Sequence, residues 1–514
     1  MKKYLSTYNS RIDKLSFVLM LINVVLLLVF FKIQIIDSKA HQKVVDAKGW
    51  KNKTIIGKRG EIIDSNGKKL AISISKFNFW ANTTNDIDKT KIAELFSTSF
   101  KKPTTYYLEK LNRKSKYVIL ERNALFLESS NILEKINTIN GLRYEEKNNR
   151  FYPNNNLCSQ VLGYVNVDGK GMYGIEENFN NILSGDTSKV LLKKSIKGRY
   201  LKHENNHSVD GYSIALTIDL ELQKILDEEL KKITEKTNAS NANAIIIDPY
   251  SGDILAMSSM PSFNPNNYFD YNIESFKNRT ITDSYEPGST FKIVALSEAL
   301  ESGEFNLKDS IDCENGKHIL LNKKILRDHE PHDKLSLLDV FAHSSNIGTS
   351  KLINNINNID YYETCKSFGF GSKTGLPFKS ESSGKIRPIN EWSKTSKNYI
   401  SIGQEISATS IQIALAYCAI ANGGYLIKPH IIKEIKNENK IIYERKITPI
   451  RKIISDTTTK TIITAMENVV NYGTAKNIYL KGYNIGGKTG TAQKYIDNSY
   501  SPDKFISSFA SIYP

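Results

Sequence analysis

EPGSTFKIV (residues 286–294) places Ser289 three positions before Lys292, directly after a Pro-Gly pair. The stretch reads either as a capped amphipathic helix with an exposed lysine or as a nucleophile and its base on one helical face. The pattern Ser-x-x-Lys alone does not choose, because it also occurs at Ser73, Ser99, Ser382 and Ser501. Expected secondary structure does choose, since residues i and i+3 share a face on a helix and oppose each other on a strand. Ser73 lies in LAISISKF, which alternates like a strand, and Ser99 in FSTSFKKP, where Pro103 cuts off a helix. Ser382 has Gly384 before its lysine, and Ser501 opens the turn SPDK. Only Ser289 precedes a continuous helical pattern, with Phe291, Ile293, Val294 and Leu296 apolar. At a helix start, unpaired N–H groups and the positive dipole end stabilise an oxyanion. Lys292 becomes a base only where burial or a neighbouring cation lowers its pKa.

Two further patterns pass through the same filter. Ser-x-Asn occurs at Ser129, Ser262, Ser344 and Ser396, and Lys-Thr-Gly at Lys373 and Lys488. Ser129-Ser130-Asn131 before ILEKI reads as a helix start, with Asn131 and Glu134 at capping spacing. Lys373 lies in the glycine-rich loop FGFGSKTGLP, whereas Lys488 lies in a strand-like run whose glycines permit close backbone approach. Ser289, Ser344 and Lys488 are the members that share a plausible framework.

Working outward, KRGEIIDSNGKKLAISIS reads as strand, Asn-Gly turn, strand, and the region to about residue 205 is mixed and polar. LTIDLELQKILDEEL predicts a helix with Leu222, Ile225, Leu226 and Leu230 on its apolar face. NAIIIDPYSGDILAMSS predicts a hairpin, and ATSIQIALAYCAIANGG and SDTTTKTIITAMENVVNYG predict helices closed by glycine. YNIGGKTGTAQ and FISSFASIY read as strands separated by a polar, proline-containing loop. Strands at both ends with helices between predict an α/β or α+β domain whose sheet is closed by non-local pairing.

The bulk numbers bound the rest. A chain of 514 residues with 40% hydrophobic residues holds a sizeable core and more than one domain. Its net charge of +16 comes without a long basic run or aromatic-interleaved basic motif, so the lysines read as solvated surface and nucleic acid is not an expected partner. Cys158, Cys313, Cys365 and Cys418 form no Cys-x-x-Cys pair, which gives neither a zinc knuckle nor a redox couple; Cys418 reads as a core residue. His329-Glu330-Pro331-His332 has a proline between its histidines, which denies them a regular helical face, so it reads as a solvated loop. LSFVLMLINVVLLLVFF, residues 15–31, with IQII after Lys32, is long and apolar enough to span a bilayer. The weak small-residue pattern Ser38-Lys39-Ala40 leaves an uncleaved anchor as the expectation. Lys2, Lys3, Arg11 and Lys14 on one side and Lys32, Lys39, Lys43 and Lys48 on the other leave orientation open.

STFK, SSN and KTGT, in that order, resemble the three active-site motifs of penicillin-binding proteins and serine β-lactamases. RGEIIDSNGKKLA, RFYPNNNLCSQVLGYV, GMYGIEENF, LTIDLELQ and IIIDPYSGDILAMSSMPSFNPN are similar to blocks of the monofunctional class B penicillin-binding proteins, and so are SIGQEISATSIQIALAYCAIANGG and GGKTGTAQ. SSNIG and KTGTAQ look more like the division-type transpeptidases and their sporulation relatives than the elongation type. The resemblance implies a transpeptidase domain of the penicillin-binding protein and serine β-lactamase fold with an antiparallel central sheet. Its expected divisions are a tail at 1–14, an anchor at 15–36, a pedestal at 37–205 and the transpeptidase domain at 206–514.

It also implies acyl transfer from a D-alanyl-D-alanine stem peptide of peptidoglycan, with β-lactams as inhibitors. Ser289 would be the nucleophile, Lys292 the base, Ser344 a proton relay and Asn346 an orienting group for Lys292 and the substrate amide. Lys488 would add positive field, Thr489 and Thr491 would hold the substrate carboxylate, and Gly490 would leave room for the peptide. The Ser289 and Thr491 N–H groups would form the oxyanion hole. No cofactor or metal is implied; the implied partners are a membrane glycosyltransferase of the SEDS class and divisome proteins. Stem peptides lie outside the cytoplasm, so the implied topology is a single-pass inner-membrane protein with its N-terminus inside.

The family's central sheet takes one more strand from beyond FISSFASIY, so a chain ending at Pro514 is expected to be a fragment, and the transpeptidase domain incomplete. Ser65 stands where the family motif usually has a basic residue. A β-lactamase would share the motifs but needs a water-activating ExxLN-like segment, which is not evident after SSN. A β-lactam sensor would need further signalling modules, and a non-catalytic divisome protein would lack one of the three motifs.

Overall fold

The computed structural model describes residues 2–39, 50–194, 200–202, 209–306, 309–321, 323–437, 440–496 and 499–513. Ala40, Lys43, Lys48 and Pro514 lie outside these. The chain forms two compact units, residues 1–57 with 185–210, and 58–184 with 211–514. In the first, the helix Lys2–Phe31 continues as a π-turn over Lys32–Ile36. Lys14–Ile36 is apolar and long enough to cross a membrane, and its side chains are unburied. Strand Thr187–Lys194 of this unit pairs antiparallel with Trp50–Ile56 and with Tyr200–Lys202.

In the second unit a seven-stranded mixed sheet runs in the order Lys440–Glu444, Ile432–Asn437, Ser213–Leu216, Ile62–Ile63, Lys69–Ala81 and Val118–Leu125, with Leu142–Phe151 also paired to Lys69–Ala81. The expected strand, Asn-Gly turn, strand is its middle: Asp64 accepts from the N–H groups of Asn66 and Lys68, and Gly67 takes φ +85°. Ser213–Leu216 joins the Ile62–Ile63 strand in parallel, so early and late parts of the chain share one sheet.

The hairpin Ala242–Ile247 and Ile254–Met260 forms as expected, as do the helices Ser410–Ala421 and Asp456–Asn471, capped by Thr409 with Gln412 and by Ser455. Cys418 is buried in the core and all four cysteines are free thiols. The final strands, Gly486–Ile496 and Ser499–Ile512, pair antiparallel as a second two-stranded ladder. Among the described residues this ladder does not hydrogen-bond to the Ala242–Met260 hairpin, so the expected non-local closure is absent there.

Three local expectations are corrected and one holds. The helix Leu220–Thr237 buries Gln223 and Leu230 and leaves Ile225 59% exposed, because the Gln223 amide bonds both the Met257 carbonyl and N–H at 3.0 and 2.8 Å. The helix expected from Asn131 begins at Phe126, where the Glu128 carboxylate accepts the Leu125 N–H. As expected, the helix that holds Ser99, Lys89–Phe100, is cut off ahead of Pro103, with Lys101 in the left-handed region, so Lys102 does not share its face. Ser501 and Pro502 sit within the last strand rather than in a turn, with Ser501 Oγ accepting the Lys504 N–H.

Candidate active site

Pro287 and Gly288 turn the chain into a short 3-10 segment, Gly288–Phe291, which runs into the helix Lys292–Glu301. Gly288 has φ +56° and its N–H donates to the Gly403 carbonyl. A Cβ at Gly403 would fall 2.1 Å from the Gly288 oxygen, so this close approach requires glycine. Phe291, Ile293, Val294 and Leu296 enter the core, which leaves Ser289 at the surface end of the turn and Lys292 fully buried.

The structure brings the three motifs together around one hydroxyl. Ser344 Oγ donates to Ser289 Oγ at 2.9 Å, and accepts from Lys488 Nζ at 2.8 Å and from Lys292 Nζ at 3.3 Å. Lys292 Nζ also donates to the Ser344 carbonyl at 2.6 Å and to Asn346 Oδ1 at 2.8 Å. Lys488 is fully buried too, with Nζ 5.7 Å from the centre of the Phe341 ring. Burial pulls the Lys292 pKa down to about 7, with the Asp328 charge opposing. Burial, and after it the charge of Lys292, pushes Lys488 well below its ordinary value. Two ammonium groups bonded to one oxygen titrate as a pair, and the pair favours losing a proton.

Thr489 and Thr491 lie on the Lys488 strand: Thr489 Oγ1 is 2.7 Å from Thr474 Oγ1, and Thr491 is exposed opposite Ser507. Gly490 leaves its space to the protein: a Cβ there would meet Ser508 Oγ at 2.5 Å, the Pro287 carbonyl at 3.0 Å and the Thr290 methyl at 3.0 Å. It therefore lets the nucleophile's turn approach the strand. A cleft of about 480 Å³ continues past Thr491, walled by Glu286, Arg387, Glu405, Ala492, Gln493 and Lys494.

Residues 242–514 match the penicillin-binding protein transpeptidase domain, and residues 54–216 the penicillin-binding protein dimerisation domain. The chain belongs to the penicillin-binding protein transpeptidase family. It is 32% identical over 468 residues to stage V sporulation protein D of Bacillus subtilis, covering 89% of this chain and 72% of that protein. It is 30% identical over 518 residues to peptidoglycan D,D-transpeptidase FtsI of Buchnera aphidicola, covering 98% and 88%. Its fold is that of penicillin-binding protein 2X of Streptococcus thermophilus, with a TM-score of 0.78 and 24% identity over 90% of this chain and 74% of that one.

In this penicillin-binding protein the motif serine stands on a strained support. Ser344 has φ +59°, a region that non-glycine residues rarely occupy. The sequence reading missed what holds it there. Asp328 accepts from Ser345 Oγ at 2.6 Å and from the N–H groups of Asn346 and Ile347 at 2.6 and 3.0 Å, which caps the helix Asn346–Leu352. The Asn346 amide NH₂ donates to the Arg327 carbonyl at 2.8 Å, so its Oδ1 is turned to Lys292. Three other Ser-x-x-Lys hydroxyls are engaged elsewhere: Ser73 Oγ donates to the Arg59 carbonyl, Ser382 Oγ accepts the Gly384 N–H and Ser501 Oγ the Lys504 N–H, while Ser99 Oγ is buried away from both lysines of the site.

Proposed function

We propose that the chain is a peptidoglycan D,D-transpeptidase that cross-links stem peptides through a Ser289 acyl-enzyme in septal wall synthesis and is acylated by β-lactams. Its reading as a membrane protein is an anchor at 15–36 with the tail 1–14 inside, a pedestal at 37–205 and the transpeptidase domain at 206–514 outside. A SEDS-type glycosyltransferase and divisome proteins are the proposed partners, since wall polymerisation needs a second activity.

The observation that carries the reading is the Ser344 hydroxyl, in reach of Ser289 and of both lysines. A hydroxyl has one proton and two lone pairs. With both lysines charged, Ser344 spends both lone pairs on them and its proton on Ser289, and no proton can leave the nucleophile. When one lysine is neutral, its lone pair takes the Ser344 proton, Ser344 takes that of Ser289, and the Ser289 oxygen attacks the carbonyl between the terminal D-alanines. The proton then passes to the departing D-alanine amine. Deacylation by a neighbouring stem's amine runs the same relay in reverse. The Ser289 and Thr491 N–H groups would receive the oxyanion, and Thr489, Thr491 and Lys488 the terminal carboxylate.

Labelling with a fluorescent penicillin tests this. The wild type is expected to label and hold the label for hours, and Ser289→Ala to lose labelling altogether. Release within seconds would make the chain a hydrolase, and labelling of Ser289→Ala would remove the nucleophile from the proposal.

A further inference from the structure

The loop that positions the Ser344 turn carries a second set of groups, unused by the relay. One potential ligand atom from each of Glu330, His332 and His343 lies within 4.8 Å of the others. His343 immediately precedes Ser344, while Glu330 and His332 follow Asp328 on the loop that already clamps this turn. We propose that Glu330, His332 and His343 form a binding site for a borderline divalent cation such as Zn²⁺, and that the bound ion braces the turn holding Ser344.

The chemistry of the set fits. Two imidazoles and one carboxylate with an open fourth position are a zinc donor set. His332 Nδ1 is 3.1 Å from the Glu330 carbonyl oxygen, which can only accept, so Nδ1 carries the proton and Nε2 holds the lone pair. An outer hydrogen bond of this kind fixes the tautomer of a metal-binding histidine. The rings of His332 and His343 lie 4.9 Å apart between centres. The His343 ring is also 6.1 Å from that of Tyr472, whose hydroxyl donates to Asp339. The loop is seated by Pro331, which packs where a Cβ on Gly316 would come within 3.1 Å. Donors around a tetrahedral zinc ion with bonds of about 2.1 Å sit about 3.4 Å apart. Side-chain rotation of the exposed Glu330 and of the half-buried His332 and His343 supplies the remaining approach.

The full chain, purified in detergent without a polyhistidine tag and stripped with chelator, is titrated with Zn²⁺ by calorimetry. One high-affinity ion per chain is expected, weakened at least tenfold in His332→Ala and His343→Ala and unchanged in His318→Ala. His332→Ala is the decisive variant, because it lies in a loop and its melting temperature without zinc is expected to equal that of the wild type. Absence of binding, or equal binding by His332→Ala, overturns the site. Saturating Zn²⁺ is also expected to raise the rate of acylation by a fluorescent penicillin threefold or more in the wild type and not in His332→Ala. An unchanged or slower rate overturns the bracing. The calorimetric result stands or falls independently of the transpeptidase reading.

Discussion

Two clusters of buried charge lie in the same compact unit, and they treat burial in opposite ways. Near the N-terminal side, Glu176 is fully buried between two guanidinium groups, with Arg59 Nε and Arg150 Nε each 2.6 Å from one of its oxygens. Arg59 also donates to Asn180 and Ser184, and Arg150 to the Gly60 carbonyl. Charge there is answered by opposite charge and by hydrogen bonds. Around Ser344, two fully buried lysines share one hydroxyl, and their acceptors are neutral oxygens. With no ion pair among the described residues to restore what desolvation removes, their pKa values fall. A paired cluster fixes structure; an unpaired one prepares a base.

Removing the centre of each cluster separates the two roles most sharply. Lys292→Met deletes the proposed base and is expected to slow penicillin acylation about 10²–10⁴-fold. Its stability should stay within about 1 kcal/mol of wild type, since lost hydrogen bonds are offset by removal of a buried ammonium. Glu176→Ala does the reverse. It strands two buried guanidinium groups and is expected to cost about 3–5 kcal/mol in denaturant unfolding. Acylation per folded molecule should be unchanged, and a slowed rate in the folded fraction would deny the separation.

Proton concentration tests the same contrast without mutation. If neutral Lys292 is the base, the acylation rate should rise about tenfold per pH unit below about 7 and level off above it. Linkage fixes the sign for stability. A lysine at about 7 when folded, against an ordinary 10.5, binds fewer protons folded than unfolded between those values. Its contribution therefore grows as pH rises through that window and is lost as pH falls toward 7. Stopped-flow acylation and urea unfolding from pH 6 to 10 measure both, and an acylation profile flat across pH 7 would remove the depressed lysine from the mechanism.

The contrast also marks what the sequence made legible. Local pattern sufficed for the hairpin Ala242–Met260, for the capped helices and for choosing Ser289 over Ser73, because these rest on neighbours within one or two turns. The seats of charge rest on contacts between distant segments. Asp328, just before the loop read as solvated, drew no reading from the sequence, because nothing local shows that it caps the helix Asn346–Leu352. Arg59, Arg150 and Glu176 stood in three recognised blocks, yet only the fold makes them one cluster. Gln223 displaced Ile225 from the buried face because a strand's backbone needed its amide, which a count of apolar positions does not register.

The smallest expected effect links the two kinds of cluster through Asp328, a carboxylate whose charge acts on Lys292. Asp328→Asn keeps an oxygen that can accept the Asn346 N–H but loses the charge that favours protonated Lys292. The acylation profile should move to lower pH, by less than one unit, because burial remains the larger cause of the depressed pKa. Weakening the cap should cost about 0.5–2 kcal/mol. The two readings are separable, since cap loss alone would lower stability and leave the midpoint in place, whereas lost charge moves the midpoint. A shift toward higher pH would mean that Asp328 acts on the relay mainly by holding Asn346 against Lys292, and that the charge of the carboxylate is incidental.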